Sequence, residues 1–359
     1  MKAMSTVALY QGTDRYQNVT NALTAIAGDV DWASKRRILI KPNFTSTVIP
    51  LAATHVEAVR AVLDFLKPRT TGRIVIAEGA GLRDTWEGFR NYGYLPLREQ
   101  YGVELRDLNR DAWVTTTVYD QHLRPLTLRV ARTVVESDLR ISIGPPKTHD
   151  TVIVTLALKN LVMAALIRDE RGPDGPAALA GPAPGRGSTL QAIARLAPRR
   201  VKGWPLIMWL KGHLIRRLVR SDKMLMHQGY PVINLNLFLL ARFIPPHLAV
   251  LDGYQAMEGD GPNHGTAVDW RLALASADWL AADTVAAHLM GVEVQEVGYL
   301  DYCRRAGLGQ GDLDRISITG NVPVAACRRV FQPSPTVEQQ RRWRDPRVEA
   351  LVTELVGGG

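Results

Sequence analysis

Apolar, β-rich runs alternate with helical patterns along most of the 359 residues, and this alternation constrains the fold more than any other feature. Strands are predicted at Thr6–Tyr10, Arg37–Lys41, Arg73–Ala77, Glu104–Asp107, Leu126–Val130, Leu139–Gly144, Leu248–Leu251 and Leu272–Ser276. Helices are predicted at Tyr16–Ala27, Thr54–Leu66, Thr85–Tyr92, Thr151–Leu166, Val232–Arg242, Trp279–Met290 and Val294–Arg305. Strands that alternate with helices imply parallel pairing and a sheet covered on both faces. The expected fold is α/β, a mostly parallel sheet with helices on both faces, in one large domain over residues 5–330. Within it, residues 168–230 read as an insertion. Residues 331–359 read as an exposed helical tail.

Sheets of this kind bind ligands beyond the carboxyl ends of their strands, and the predicted strand ends here carry polar residues. Pro145-Pro146 stops the strand Asp138–Gly144 where Lys147 and His149 would project. The following apolar run, Thr151–Leu166, has one charged residue, Lys159, with Asn160 beside it. A lysine in so apolar a segment must snorkel, shift its pKa or meet an anion. A structural ion pair with Asp252 or Asp278 would also satisfy it. Lys147, His149 and Lys159 are therefore the candidate catalytic residues.

Lys41-Pro42-Asn43 follows another strand, and the proline forces an extended exit that presents Lys41 and Asn43. Glu78-Gly79-Ala80-Gly81 follows a third. Its glycines allow close backbone approach to a ligand, but it is not the GxGxxG fingerprint of a dinucleotide site. Lys41, Asn43, Glu78 and Asn160 are the candidate substrate-binding residues. His55, at the start of a predicted helix, either binds an anion or faces water.

A second polar concentration runs from Asp252-Gly253 through Glu258-Gly259-Asp260-Gly261-Pro262-Asn263-His264. Asp252, Glu258 and Asp260 form a candidate site for a divalent metal such as Mg²⁺ or Mn²⁺, since hard cations prefer oxygen ligands. A tight turn with exposed acids is the competing account. Asp278 is placed to cap the next helix, while Asp283, among alanines and Val285, reads as an inward-facing acid.

Lysine and arginine (44) outnumber aspartate and glutamate (35), for a net charge of +9. That balance suits an anionic partner. Residues 168–187 are rich in Gly, Pro and Ala and read as a mobile lid. They lead into the basic stretch 195–223, interleaved with Trp204, Trp209 and leucines. No window offers about 20 uninterrupted apolar residues, so no membrane-spanning helix is expected. The two cysteines, Cys303 and Cys327, are too few for a four-thiolate cluster or a zinc ribbon, and reduced thiols in a cytosolic protein are expected.

Taken in order, Lys41-Pro-Asn43, Glu78-Gly-Ala-Gly81, Lys147-Thr-His149 with Thr155–Asn160, Asp252-Gly253 with Glu258–Pro262, and Ser276-Ala-Asp278 with Asp283 resemble the DUF362 family over roughly residues 5 to 320. The resemblance implies a single α/β domain from a largely uncharacterised prokaryotic family. Many of its members carry a ferredoxin-like module with two four-iron clusters. This chain lacks the cysteines for that module, so no iron–sulfur cluster is expected. Fold analogy supplies no reaction.

The leading expectation is a cytosolic enzyme that binds a small anionic substrate in a Lys/His/Asp pocket. The alternatives are a peripheral module that binds an anionic membrane through residues 195–223, and a redox accessory protein that works with a ferredoxin-type partner. The interleaved tryptophans favour a membrane over nucleic acid.

Overall fold

The computed structural model describes residues 4–81, 83–169 and 221–357. The first strands and helices are β1 (Ser5–Gln11), α1 (Arg15–Ala25), β2 (Arg37–Lys41), α2 (Val56–Leu66), β3 (Arg73–Glu78), α3 (Thr85–Asn91), α4 (Leu97–Tyr101) and β4 (Glu104–Asp107). A hairpin of β5 (Trp113–Tyr119) and β6 (Pro125–Ala131) follows, then α5 (Arg132–Glu136), β7 (Leu139–Gly144), β8 (Lys147–His149), β9 (Ile153–Thr155) and α6 (Ala157–Ala165). After residue 220 come α7 (Asp222–Leu225), α8 (Tyr230–Phe243), β10 (Leu248–Glu258), β11 (Thr266–Ser276), α9 (Trp279–Leu289) and α10 (Gly298–Arg305). The chain closes with β12 (Ile316–Gly320), α11 (Val324–Cys327), α12 (Val337–Gln340) and α13 (Pro346–Gly357).

Ten of these strands form one sheet in the order β12-β1-β11-β10-β7-β2-β3-β4, with β8 on β10 and β9 on β8. The pairs β10–β7, β7–β2, β2–β3 and β3–β4 are parallel, as is β1–β12; β11 runs antiparallel to both its neighbours. Two apolar cores lie on opposite faces. Ile38, Ile40, Ile76, Ile141 and Ile143 face the core under α1 and α2, while Leu39, Val75 and Ala77 face the core under α6, α8 and α9. Both faces of β7 are covered, so all six of its residues are buried, Arg140 and Ser142 included.

The fold class is as the sequence implies, a mostly parallel α/β sheet in a single domain. Three local readings differ. The run Thr151–Leu166 is not one helix: its β-branched start, Ile153–Thr155, pairs antiparallel with β8, and the helix begins only at Ala157. The branched side chains of Val154 and Thr155 fit an extended strand better than a first helical turn. The strand taken to end at Leu251 continues to Glu258, with a register shift between Gly253 and Gln255. A Cβ on Gly253 would lie 2.6 Å from Leu272 Cδ1, so any larger residue there must displace that side chain.

The tail is exposed over much of its length but docks by one face. Trp343, Val348 and Val352 are buried, and Trp343 packs edge-on against Tyr302 at 5.2 Å. The lid at 168–187 and all but the last three residues of the basic stretch lie largely outside the described residues. Their flanks do not: Arg168 bridges Ser221, and Arg129 holds Asp222 with a two-pronged contact, Nε to Oδ2 at 3.0 Å and Nη2 to Oδ1 at 2.9 Å.

Candidate functional site

Parallel pairing sets Lys41 beside Ser142, Glu78 beside Asp107 and Leu251 beside Gly144. The carboxyl ends of β2, β3 and β7 therefore open at one edge of the sheet. Lys41, Glu78, Lys147 and Asn160 meet there, all buried.

Lys41 Nζ pairs with Glu78 Oε2 at 2.8 Å and donates to Asn160 Oδ1 at 2.6 Å. Asn43 Nδ2 donates to the same Asn160 oxygen at 2.8 Å. The Asn160 amide nitrogen donates to Ser142 Oγ at 3.0 Å and to the Ile143 carbonyl at 3.2 Å. Glu78 is held further by the N–H groups of Phe44 at 3.0 Å and Gly79 at 2.9 Å. Lys147 Nζ completes the chain, donating to Asn43 Oδ1 at 2.7 Å, Thr45 Oγ1 at 2.9 Å and the Ala52 carbonyl at 3.1 Å. An ammonium has three donors, so Lys147 is fully satisfied by the protein. Burial and the charges of Lys41 and Lys159 push its pKa well down.

A fourth lysine joins from within the stretch read as an insertion. Lys223 Nζ donates to the carbonyls of Met163 at 3.2 Å, Ala164 at 3.1 Å and Leu166, which closes the carboxyl end of α6. Burial brings its pKa down to about 7. Glycine at 79 is required here, because a Cβ would stand 2.5 Å from the Ala164 carbonyl and 3.0 Å from Lys223 Nζ.

Lys159 is different. It is buried, yet among the described residues its amine makes no hydrogen bond and no ion pair. Neither Asp252 nor Asp278 serves it. Asp252 contacts Arg15 at 3.2 Å, and Asp278 caps α9 through the N–H groups of Leu280 and Ala281. Burial lowers the Lys159 pKa to about 8, with the charge of Asp150 opposing.

Two histidines feel the Lys159 charge. His149 Nδ1 accepts from the Thr151 N–H at 2.9 Å, so its hydrogen sits on Nε2. Asp150 Oδ1 lies 3.1 Å from that Nδ1, but burial and Lys159 hold the imidazole well below its usual pKa, so the contact is not an ion pair. His227 is the reverse tautomer: its Nδ1 lies 2.7 Å from the Lys223 carbonyl, which can only accept. The lone pair is then on Nε2. Burial and Lys159 lower its pKa to about 4. The cluster therefore holds an unpaired amine, an imidazole N–H and an imidazole lone pair.

Asp283 acts from below. It accepts the N–H groups of Ala157 at 2.8 Å and Leu158 at 3.1 Å, which caps the helix that carries Lys159 and Asn160. Burial raises its pKa to about 7. His55 caps α2 by accepting from the Glu57 N–H at 3.2 Å.

The carboxylates read as metal ligands do not gather. Asp252 lies mid-strand against Arg15, while Glu258, at the far end of β10, accepts from the Gln332 N–H at 3.0 Å and lies 3.8 Å from Arg329. Among the described residues no group of three or more His, Cys, Asp or Glu is arranged to hold a metal ion. The sequence suggests a strand ending near Asp252 with Glu258 and Asp260 in the loop beyond it, whereas β10 runs on through Glu258 and holds Asp252 and Glu258 apart. Cys303 and Cys327 are both buried and unbonded. Among the described residues no helix is long and apolar enough to cross a membrane.

Sequence reasoning missed His227, Lys223 and Gln340. The first two lie in the stretch read as insertion, and Gln340 in the stretch read as an exposed tail. Gln340 Nε2 donates to the His149 carbonyl at 2.8 Å and its Oε1 accepts from the Ile153 N–H, which pins the β8–β9 hairpin. No local pattern marks these residues.

The chain is 23% identical over 274 residues to the thylakoid-associated protein sll1697 of Synechocystis sp., covering 76% of this chain and 68% of that protein. It is similar in structure to the lactate racemase apoprotein of Thermoanaerobacterium thermosaccharolyticum, with a TM-score of 0.42 and 12% identity. That match covers 81% of this chain and spans 58% of the other. Residues 38–288 match the model of the domain of unknown function DUF362. The motif residues that meet at the sheet edge fall inside that match, and the chain belongs to the DUF362 family.

Proposed function

We propose that this protein is an enzyme that binds a small anionic substrate against Lys159 and moves a proton with His149 and His227. The observation that carries the reading is the Lys159 amine, buried and without a hydrogen-bond partner among the described residues. The amine is not fully enclosed, so water reaches it, and an anion can take the place of that water. Lys147 and Lys223 have every donor occupied by protein acceptors, while Lys41 is paired with Glu78.

The tautomers support acid–base work. His149 offers an N–H and His227 a lone pair, and both are neutral at pH 7 because burial and Lys159 disfavour their charged forms. A perturbed lysine with two oppositely poised imidazoles is the kind of cluster that marks functional sites. Equilibrium titration with a panel of small carboxylates and phosphates tests the reading. Binding that weakens about tenfold or more in Lys159→Met supports it, since charge-assisted hydrogen bonds are of that strength. Equal affinity of the variant and the parent overturns it.

A second reading, attachment to an anionic membrane surface, is supported by the description of the relative sll1697 as thylakoid-associated. The basic residues 195–223 would make the contact. Flotation with liposomes tests it, and binding that ignores the fraction of anionic lipid counts against it.

A further inference from the structure

We propose that a second pocket at the same sheet edge receives a carboxylate or phosphate group of the substrate, with Arg83 as its counter-charge. The inference rests on the reading of Lys159 as an anion site and extends it to the far end of the ligand.

Three turns enclose the pocket: the one after β2, the one after β3, and the one between β10 and β11. Together they leave a cavity of about 130 Å³ lined by Thr45, Ser46, Thr47, Arg83, Asn263 and His264, among others. Pockets for drug-sized ligands run to roughly 300–1,000 Å³, so this one admits a single acid group and not a nucleotide. Two of its walls follow the carboxyl ends of parallel strands, where sheets of this kind bind ligands. Among the described residues no carboxylate lines it, although Glu87 bonds to two lining residues, Thr47 and Arg83.

Arg83 faces Glu87 at 3.2 Å, with both side chains partly exposed. An exposed pair of that sort contributes little, so the guanidinium can exchange Glu87 for a ligand at small cost. Its planar fork matches a carboxylate or phosphate. Asn263 also lines the pocket, and its Oδ1 is buried without a hydrogen-bond partner among the described residues. A half turn of the amide puts an N–H at that position. Thr45 links the pocket to the lysine cluster, because its Oγ1 accepts from Lys147 Nζ at 2.9 Å.

The experiment is a nuclear magnetic resonance titration of the histidine rings in the full chain, once with inorganic phosphate and once with acetate. His264 reports the pocket; His149 and His227 report Lys159. The expected result is a saturable His264 shift with one probe or both, weakened about tenfold or more by Arg83→Gln and retained in Lys159→Met. The tighter probe names the acid group. An unmoved His264, or an Arg83→Gln response equal to the parent's, overturns the pocket. Shifts at His149 and His227 without one at His264 would sink the pocket alone and leave the Lys159 reading standing. The reverse pattern would sink the Lys159 reading alone.

Discussion

Asn43 and Asn160, 117 residues apart in sequence, meet head to tail, the amide nitrogen of one donating to the carbonyl oxygen of the other at 2.8 Å. Through this bond Lys147, held by Asn43, is coupled to Lys41, held by Asn160. Asn160→Leu leaves Lys41, Asn43 and Ser142 short of partners inside the protein. We expect a loss of about 2–4 kcal/mol, since unmatched buried groups carry their desolvation penalty. Urea midpoints check this. Combined with Asn43→Leu, the loss should be less than the sum, because the two changes remove one shared bond.

The Lys41–Glu78 pair is buried on both sides. Lys41→Met or Glu78→Gln alone strands a charge and should destabilise by about 3–5 kcal/mol. The double variant should recover part of that loss. A double-mutant cycle decides the matter, and simple additivity would mean that the pair is not coupled.

Lys159 loses its proton near pH 8. Anion binding at this site should therefore fall as pH rises through about 8 and be flat in Lys159→Met. Stability moves the other way. The folded pKa lies below the unfolded one, so between about 8 and 10.5 the unfolded chain holds more protons, and stability contributed by this group rises with pH. Binding isotherms and melting curves across pH 7–10 separate the two trends.

Asp283 has a raised pKa of about 7 against an ordinary value of 3.8. Between those values the folded state holds the extra proton, so stability from this residue falls as pH rises toward about 7. Asp283→Asn should flatten that slope. It should also weaken the start of α6 by about 1 kcal/mol, the usual worth of a helix cap. Denaturant midpoints at pH 5 and 7 check both effects.

Ile153 sits at φ +67°, a left-handed conformation that a β-branched residue resists. Gln340 holds it there through its N–H, while Thr336 Oγ1 donates to the Asp150 carbonyl at 2.8 Å. Gln340→Ala should free the β8–β9 hairpin and speed amide exchange at Ile153 and Thr155 more than in β2 or β7. Uniform acceleration across the sheet would mean global loss instead.

The sequence by itself determined the α/β class, because apolar runs spaced by helices can be buried only in a covered, mostly parallel sheet. It also marked Lys41, Asn43, Glu78, Lys147, Lys159 and Asn160, since a polar residue beyond an apolar strand or inside an apolar helical run stands out locally. Only the tertiary structure decided how they share the work: Lys147 is saturated by three acceptors, Lys41 is paired with Glu78, and Lys159 is left open. It also brought in Lys223, His227 and Gln340, and set Asp252 against Arg15. Strand periodicity is a local property and can be read along the chain. Which donor meets which acceptor depends on contacts between distant segments, and no spacing rule carries that information.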